Sequence, residues 1–251
     1  MRSWIRWLGR TGAAAGLLVL GAACGSGRDD GAREVAPTAG GSGAYGKGTP
    51  GVPAASSAGT AGRRTLVFVG TSLTAGLGLD PDDAYPALVQ RMVDSAGLAW
   101  EVVNAGLSGE TSAGALRRID WLLSGPGDVV VVETGANDGL RGVEVDSTRA
   151  NIAEMLRRIR QAKPTAQILL VQMEAPPNMG PTYTRAFRAM YPALAREAGV
   201  PLIPFLLDGV AGVDTLNQAD GIHPNETGAK IVAGNVWRAL EPVLRGRGNG
   251  S

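Results

Sequence analysis

From Arg64 onward, short apolar runs alternate with longer amphipathic stretches. Thr65–Val69 (TLVFV) is a β-branched and aromatic run closed by Gly70, and Trp100–Val103, Asp128–Glu133 (DVVVVE), Ile168–Met173 (ILLVQM) and Leu202–Phe205 (LIPF) repeat the pattern. Continuous apolar runs of this length suit strands covered on both faces, as in a parallel sheet. Between them, Tyr85–Ala96, Ala113–Leu123, Ser147–Ala162 and Tyr183–Ala198 predict helices, and Gly228–Leu244 predicts a last one. In the third of these, Ile152, Met155, Leu156 and Ile159 recur at helical spacing with arginines on the opposite face. Pro192 predicts a kink or a split in the fourth, because proline lacks the N–H that a helix interior uses. Regular alternation of strand and helix predicts βαβ units and an α/β fold, a three-layer α/β/α sandwich on a five-stranded parallel sheet. The chain carries no internal repeat.

The N-terminus follows a different pattern. Arg2, Arg6 and Arg10 precede an apolar run from Ala13 to Leu20, followed by Gly21, Ala22 and Ala23. The run is too short to span a bilayer comfortably and ends on small residues, as export signals do. Cys24, the single cysteine, comes next, and the arrangement resembles a bacterial lipoprotein signal whose cysteine becomes the lipidated first residue. Gly21 stands where such signals usually carry a large aliphatic residue; an ordinary secretory signal is the other reading of residues 1–23. From 24 to 62 the chain is rich in glycine, alanine, serine, proline and threonine, which cannot bury enough surface to offset backbone ordering and predicts a flexible tether. The folded domain is then expected over 63–246, with a disordered tail at 247–251. The expected setting is the bacterial envelope, periplasmic side, with Cys24 anchored in a membrane.

Charge narrows the function by exclusion. Lysine plus arginine total 24 against 23 acidic residues, so no global field points to nucleic acid or to an acidic surface. Cleavage before Cys24 removes three arginines and leaves 21 basic residues against 23 acidic. One histidine and one cysteine give no zinc constellation, and neither a phosphate-cradling glycine-lysine loop nor a dinucleotide fingerprint is present, so no metal or cofactor is expected.

Ligands of open parallel sheets bind outside the carboxyl ends of the strands, and the polar loop residues gather there. Gly70-Thr71-Ser72 follows the first strand, Asn104 to Gly109 the second, and Thr134-Gly135-Ala136-Asn137-Asp138 the third; Asp220 and His223 lie in the loop before the last helix. Each has a purely structural reading: Ser72 as a helix cap, Gly106 as a tight-turn glycine, Asn137-Asp138-Gly139 as a turn, and Asp220 as a loop residue bonding its own backbone. Their joint occurrence, each at a strand's exit, favours a site. Any imidazole-assisted serine chemistry must use His223, the sole histidine.

Taken together, GTSLTAGLGL from Gly70, NAGLSGETS from Asn104, ETGANDGLRG from Glu133 and DGIHPN from Asp220 resemble the SGNH, or GDSL, hydrolase family. The stretch from Glu174 to Phe205 narrows the likeness to its lysophospholipase, thioesterase and arylesterase branch, over about Arg64 to Leu244. The resemblance implies a flavodoxin-like sandwich and a serine esterase. It implies Ser72 as nucleophile, His223 as base and Asp220 as the group orienting it, with an oxyanion hole from the Ser72 and Gly106 backbone N–H groups and the Asn137 side-chain amide. Glycine suits the second of these because no Cβ blocks the acyl oxygen. Thr71 departs from the family's usual aspartate while keeping a hydrogen-bonding hydroxyl, and activity is expected to persist. The expected substrate is a small acyl ester, lying against Leu107, Ser108, Ala175, Pro176 and Met179. An envelope-carbohydrate O-deacetylase and a non-catalytic envelope-binding lipoprotein are the alternatives. The oligomeric state is not legible.

Overall fold

The computed structural model describes residues 62–246; the expected signal, nearly all of the tether, the expected lipidation site Cys24 and the tail lie outside the described residues. Five parallel strands, β1 (Arg64–Gly70), β2 (Trp100–Gly106), β3 (Val129–Val132), β4 (Gln167–Val171) and β5 (Leu202–Ile203), form one sheet in the order β2-β1-β3-β4-β5. Seven helices join or follow them: α1 (Ser72–Ala75), α2 (Tyr85–Ser95), α3 (Ser112–Leu122), α4 (Ala136–Arg141), α5 (Val145–Ala162), α6 (Pro181–Ala198) and α7 (Glu226–Gly246). Helices α2 and α7 pack together, and α3, α5 and α6 form a second contiguous group. Right-handed crossovers require this division, since the chain steps from β1 to β2 in one direction and then reverses to reach β3. The sandwich is therefore the expected one. Among the described residues no helix is long and apolar enough to cross a membrane.

Both faces of the central strands are covered. Val129–Val132 is buried at every position, and Leu66, Phe68, Val131, Leu169 and Leu170 are wholly inaccessible, which explains runs without polar alternation. On α5 the buried residues are Thr148, Ile152, Met155, Leu156 and Ile159, the predicted stripe with one hydroxyl added.

Several boundaries differ from the sequence reading for identifiable reasons. Strand β2 runs on through Asn104, Ala105 and Gly106 because their backbone pairs with Phe68, Val69 and Gly70 of β1, whatever their side chains. Strand β5 stops at Ile203, before Pro204, which has no N–H to give a ladder. Pro192 does not split α6. The missing N–H would have served Arg188, which is exposed, while Phe187, Met190, Tyr191 and Leu194 are buried and hold both halves of the helix.

Candidate active site

The site lies where the sheet order reverses, at the carboxyl ends of β1, β2 and β3. Strand β1 ends at Gly70 and the chain turns at once into α1, whose first residue is Ser72. Thr71, not Ser72, occupies the capping position, and it makes no side-chain cap bond. The Ser72 hydroxyl instead meets His223, with Oγ and Nε2 2.8 Å apart. His223 Nδ1 lies 2.6 Å from Asp220 Oδ2, while Asp220 Oδ1 accepts the backbone N–H groups of Ile222 at 2.9 Å and His223 at 3.0 Å. The capping reading of Ser72 and the local-turn reading of Asp220 are thus both too small: Asp220 does bond its own loop, and that bonding aims its second oxygen at the imidazole.

The electrostatics of Asp220 follow. Partial burial pushes its carboxyl upward, but the bonds from the His223 ring and from the two backbone N–H groups outweigh it and hold the group at about 2. An ionised carboxylate at Nδ1 leaves Nε2 facing the hydroxyl, the tautomer a general base requires.

Gly106 is the last residue of β2, opposite Gly70, and not a turn glycine. A Cβ there would lie 2.3 Å from the Ala75 amide nitrogen and 2.8 Å from the Thr74 carbonyl carbon, so it would strike the α1 backbone. The glycine also lets β2 and α1 approach, a packing demand additional to leaving the acyl oxygen unblocked. Its N–H donates to Asn104 Oδ1 at 3.0 Å, and Asn104 Nδ2 donates to the Thr74 carbonyl at 2.8 Å. Asn137 stands in the first turn of α4, its Nδ2 donating to the Glu110 carbonyl at 3.0 Å. As the first residue of α1, Ser72 has an N–H with no partner inside the helix.

Asn137-Asp138-Gly139 is helical rather than a turn, and Gly135 and Asp138 explain why. Gly135 has φ of 97°, and a Cβ there would sit 2.3 Å from the buried Tyr191 hydroxyl. Asp138 is buried and accepts the Ser112 N–H at 2.8 Å and the Ser112 hydroxyl at 2.6 Å, which ties α4 to the start of α3. Beneath Ser72, Glu133 is fully buried and accepts the Thr71 N–H at 2.7 Å, the Thr71 hydroxyl at 3.0 Å and the Thr74 hydroxyl at 2.9 Å. Burial pushes this carboxyl above its ordinary range, with the threonine donors pulling it partly back. Thr71 therefore anchors the serine turn to a carboxyl, as its hydroxyl allowed.

Two recesses flank the Ser72–His223 pair. Ser72 and His223 line a narrow one with Leu77, Leu79 and Tyr85. The wider cleft begins beside them at Leu73 and Ile222 and runs along Ala136, Leu140, Ala175 and Pro176; Phe205, Leu207 and Met173 also line it. Its one charged side chain among the described residues is Glu174, whose Oε1 lies 3.2 Å from the exposed Arg188 guanidinium. Of the five expected contacts, Ala175 and Pro176 line this cleft. Leu107, Ser108 and Met179 do not: the first two are exposed past the end of β2, and the Met179 methyl faces Gly142. Leu140, Phe205 and Ile222, which do line it, carried no sequence signal beyond apolarity.

Comparison with known proteins matches the extent of this fold. Residues 68–231 match the sequence profile of the GDSL-like Lipase/Acylhydrolase family. The chain is 42% identical over 185 residues, 73% of its length and 91% of the relative's, to Esterase TesA of Pseudomonas aeruginosa. It is 38% identical over 181 residues, 72% of its length and 85% of the relative's, to the Thioesterase 1/protease 1/lysophospholipase L1 of Escherichia coli K12. A crystal structure of TesA superposes with a TM-score of 0.68 at 42% identity, covering 72% of this chain and 99% of the other.

Proposed function

The chain belongs to the GDSL-like lipase/acylhydrolase family, and from that membership we propose that it is a serine esterase acting on lipid-like, thioester or aryl acyl compounds through Ser72, His223 and Asp220. One observation carries the reading: Ser72 Oγ, the His223 ring and Asp220 Oδ2 form a continuous hydrogen-bonded line, at 2.8 and 2.6 Å.

A serine hydroxyl is a poor nucleophile until a base removes its proton. As Ser72 Oγ bonds to the acyl carbon, its proton passes to His223 Nε2, and ionised Asp220 stabilises the resulting imidazolium. The carbonyl electrons move onto oxygen, where the Ser72 N–H, the Gly106 N–H and an amide hydrogen of Asn137 receive the charge. Gly106 exchanges Asn104 Oδ1 for the oxyanion, because a charged acceptor makes a bond about twice as strong as a neutral one. Collapse expels the alcohol or thiol, which takes the proton from Nε2. Water, deprotonated by the same nitrogen, then attacks the acyl-enzyme and releases the acid with Ser72 restored.

The apolar cleft beside Leu73 supports an uncharged acyl chain. The sequence before and after Cys24 supports an exported lipoprotein anchored in the envelope. The test is a panel of p-nitrophenyl, thioester and lysophospholipid substrates of increasing acyl length, run on wild type and Ser72→Ala. Turnover of acyl chains beyond acetate, lost in Ser72→Ala, supports the reading. Hydrolysis of acetylated sugar alone points to the deacetylase, and no turnover by wild type points to the binding lipoprotein.

A further inference from the structure

Arg118, on α3, makes a set of contacts that no step above uses. Its Nε donates to Glu110 Oε1 at 2.7 Å and its Nη2 to Glu110 Oε2 at 2.6 Å, a two-pronged pair with a carboxylate that is almost wholly buried. The same Nη2 donates to the Ala105 carbonyl at 2.9 Å and lies 3.4 Å from the Gly70 carbonyl. We propose that the Arg118–Glu110 pair is a positioning device for the oxyanion hole, in which Arg118 orients and polarises the Ala105–Gly106 peptide. This rests on the oxyanion-hole reading above.

One peptide group connects the ion pair to the oxyanion hole. The Ala105 carbonyl and the Gly106 N–H belong to the same planar amide, and its two ends point in opposite directions. A guanidinium holding the oxygen on the α3 side therefore directs the hydrogen away from α3, toward the mouth between β2 and α1. It also draws electron density toward the oxygen, which makes the N–H a stronger donor, as in any chain of hydrogen bonds in a low-dielectric setting. The other donors are tied to the same pair. Gly70, the second carbonyl within reach of Nη2, precedes Ser72 by two positions on β1 and its exit. The Glu110 backbone carbonyl is the acceptor that holds Asn137 Nδ2. A single part-buried ion pair thus spans the ends of β1 and β2 and the loop facing α4.

Such a role is not served by any neighbouring cation. Arg117 is exposed, and Arg141 bonds the Gly109 carbonyl from an exposed position. Lysine cannot copy Arg118 in full either, because its single ammonium lacks the planar fork that meets a carboxylate at two points while reaching a third acceptor.

The experiment compares Arg118→Met, Arg118→Lys and Ile119→Val, the last a core truncation on the same helix. It measures kcat and KM on one ester, the rate at which a p-nitrophenyl phosphonate modifies Ser72, and Tm. Outright loss of a hole donor costs about 10² to 10³ in turnover. Weakening one is expected to lower kcat of Arg118→Met about tenfold to a hundredfold, with KM within about twofold and phosphonylation slowed in parallel. Arg118→Lys is expected between Arg118→Met and wild type. Ile119→Val is expected to lower Tm and keep kcat. Wild-type kcat in Arg118→Met overturns the proposal, as does a fall in kcat that Ile119→Val reproduces at equal loss of Tm. Should Arg118→Met fail to fold, Arg118→Lys decides: reduced kcat at unchanged KM supports the proposal and wild-type kcat overturns it. An active Ser72→Ala would sink the underlying reading instead, so the two failures are distinguishable.

Discussion

Gly106 and Ala75 approach so closely that a Cβ on the glycine would lie 2.3 Å from the Ala75 amide nitrogen. The contact is backbone against backbone, so no side chain can swing away to relieve it. Gly106→Ala must push α1 off β2, and Ser72 is the first residue of α1. Gly106→Ala is expected to lower kcat at least about a hundredfold, comparable to losing a hole donor, and to lower Tm as well. Steady-state kinetics with a thermal melt check this; a fully active Gly106→Ala would contradict the packing argument.

Asp220 is held at about 2, below its ordinary value, chiefly by His223 and two backbone N–H groups working against partial burial. A depressed carboxylate contributes stability that is complete above its unfolded value of about 3.9 and is lost as pH falls through the folded value. Above about pH 4 Asp220 therefore stays ionised and adds no proton of its own to the acid limb of kcat/KM. A pH profile is expected to show a single-proton slope on that side. A two-proton slope would contradict the assignment.

Glu133 has the opposite shift, raised by burial. Through the window above the unfolded value of about 4.3, the native state holds a proton that the unfolded chain has lost, so stability falls as pH rises. Glu133→Gln removes this titration while its amide can still bond Thr71 and Thr74. Urea midpoints from mildly acidic to neutral pH are expected to decline more steeply for wild type than for Glu133→Gln; parallel curves would count against a raised carboxyl.

The wider cleft carries one carboxylate, Glu174, among apolar side chains. Glu174→Leu completes the apolar lining, and a methylene gained or lost against such a surface changes rates by about 10-fold or more. The variant is expected to raise kcat/KM for long acyl esters about tenfold relative to acetate. An unchanged chain-length profile would remove Glu174 from the acyl path.

What the chain disclosed in advance was whatever local pattern encodes. The buried strands announced themselves as uninterrupted apolar runs; the serine stood in a motif at the exit of β1, and the aspartate and histidine in one shortly before the last helix. Features made by distant partners were not legible. Helix α4 looked like a turn because Asn137-Asp138-Gly139 disfavours helix locally, and Ser112, 26 positions away, supplies the bonds that hold Asp138. No role for Glu133 or Glu110 was legible, because Thr71 lies 62 positions from the first and Arg118 reaches the second, eight positions away, only once α3 has formed. The apolar residues of the cleft gave no sign of which would face it, since apolarity marks burial without saying against what.

Covalent capture offers the most direct trial of the central claim. Wild type and His223→Ala are treated with a p-nitrophenyl alkylphosphonate, and the products are mapped by peptide mass spectrometry. The account predicts one adduct per wild-type chain, on Ser72, formed far more slowly in His223→Ala. An adduct on another residue, or labelling of Ser72 at the same rate without His223, would contradict it.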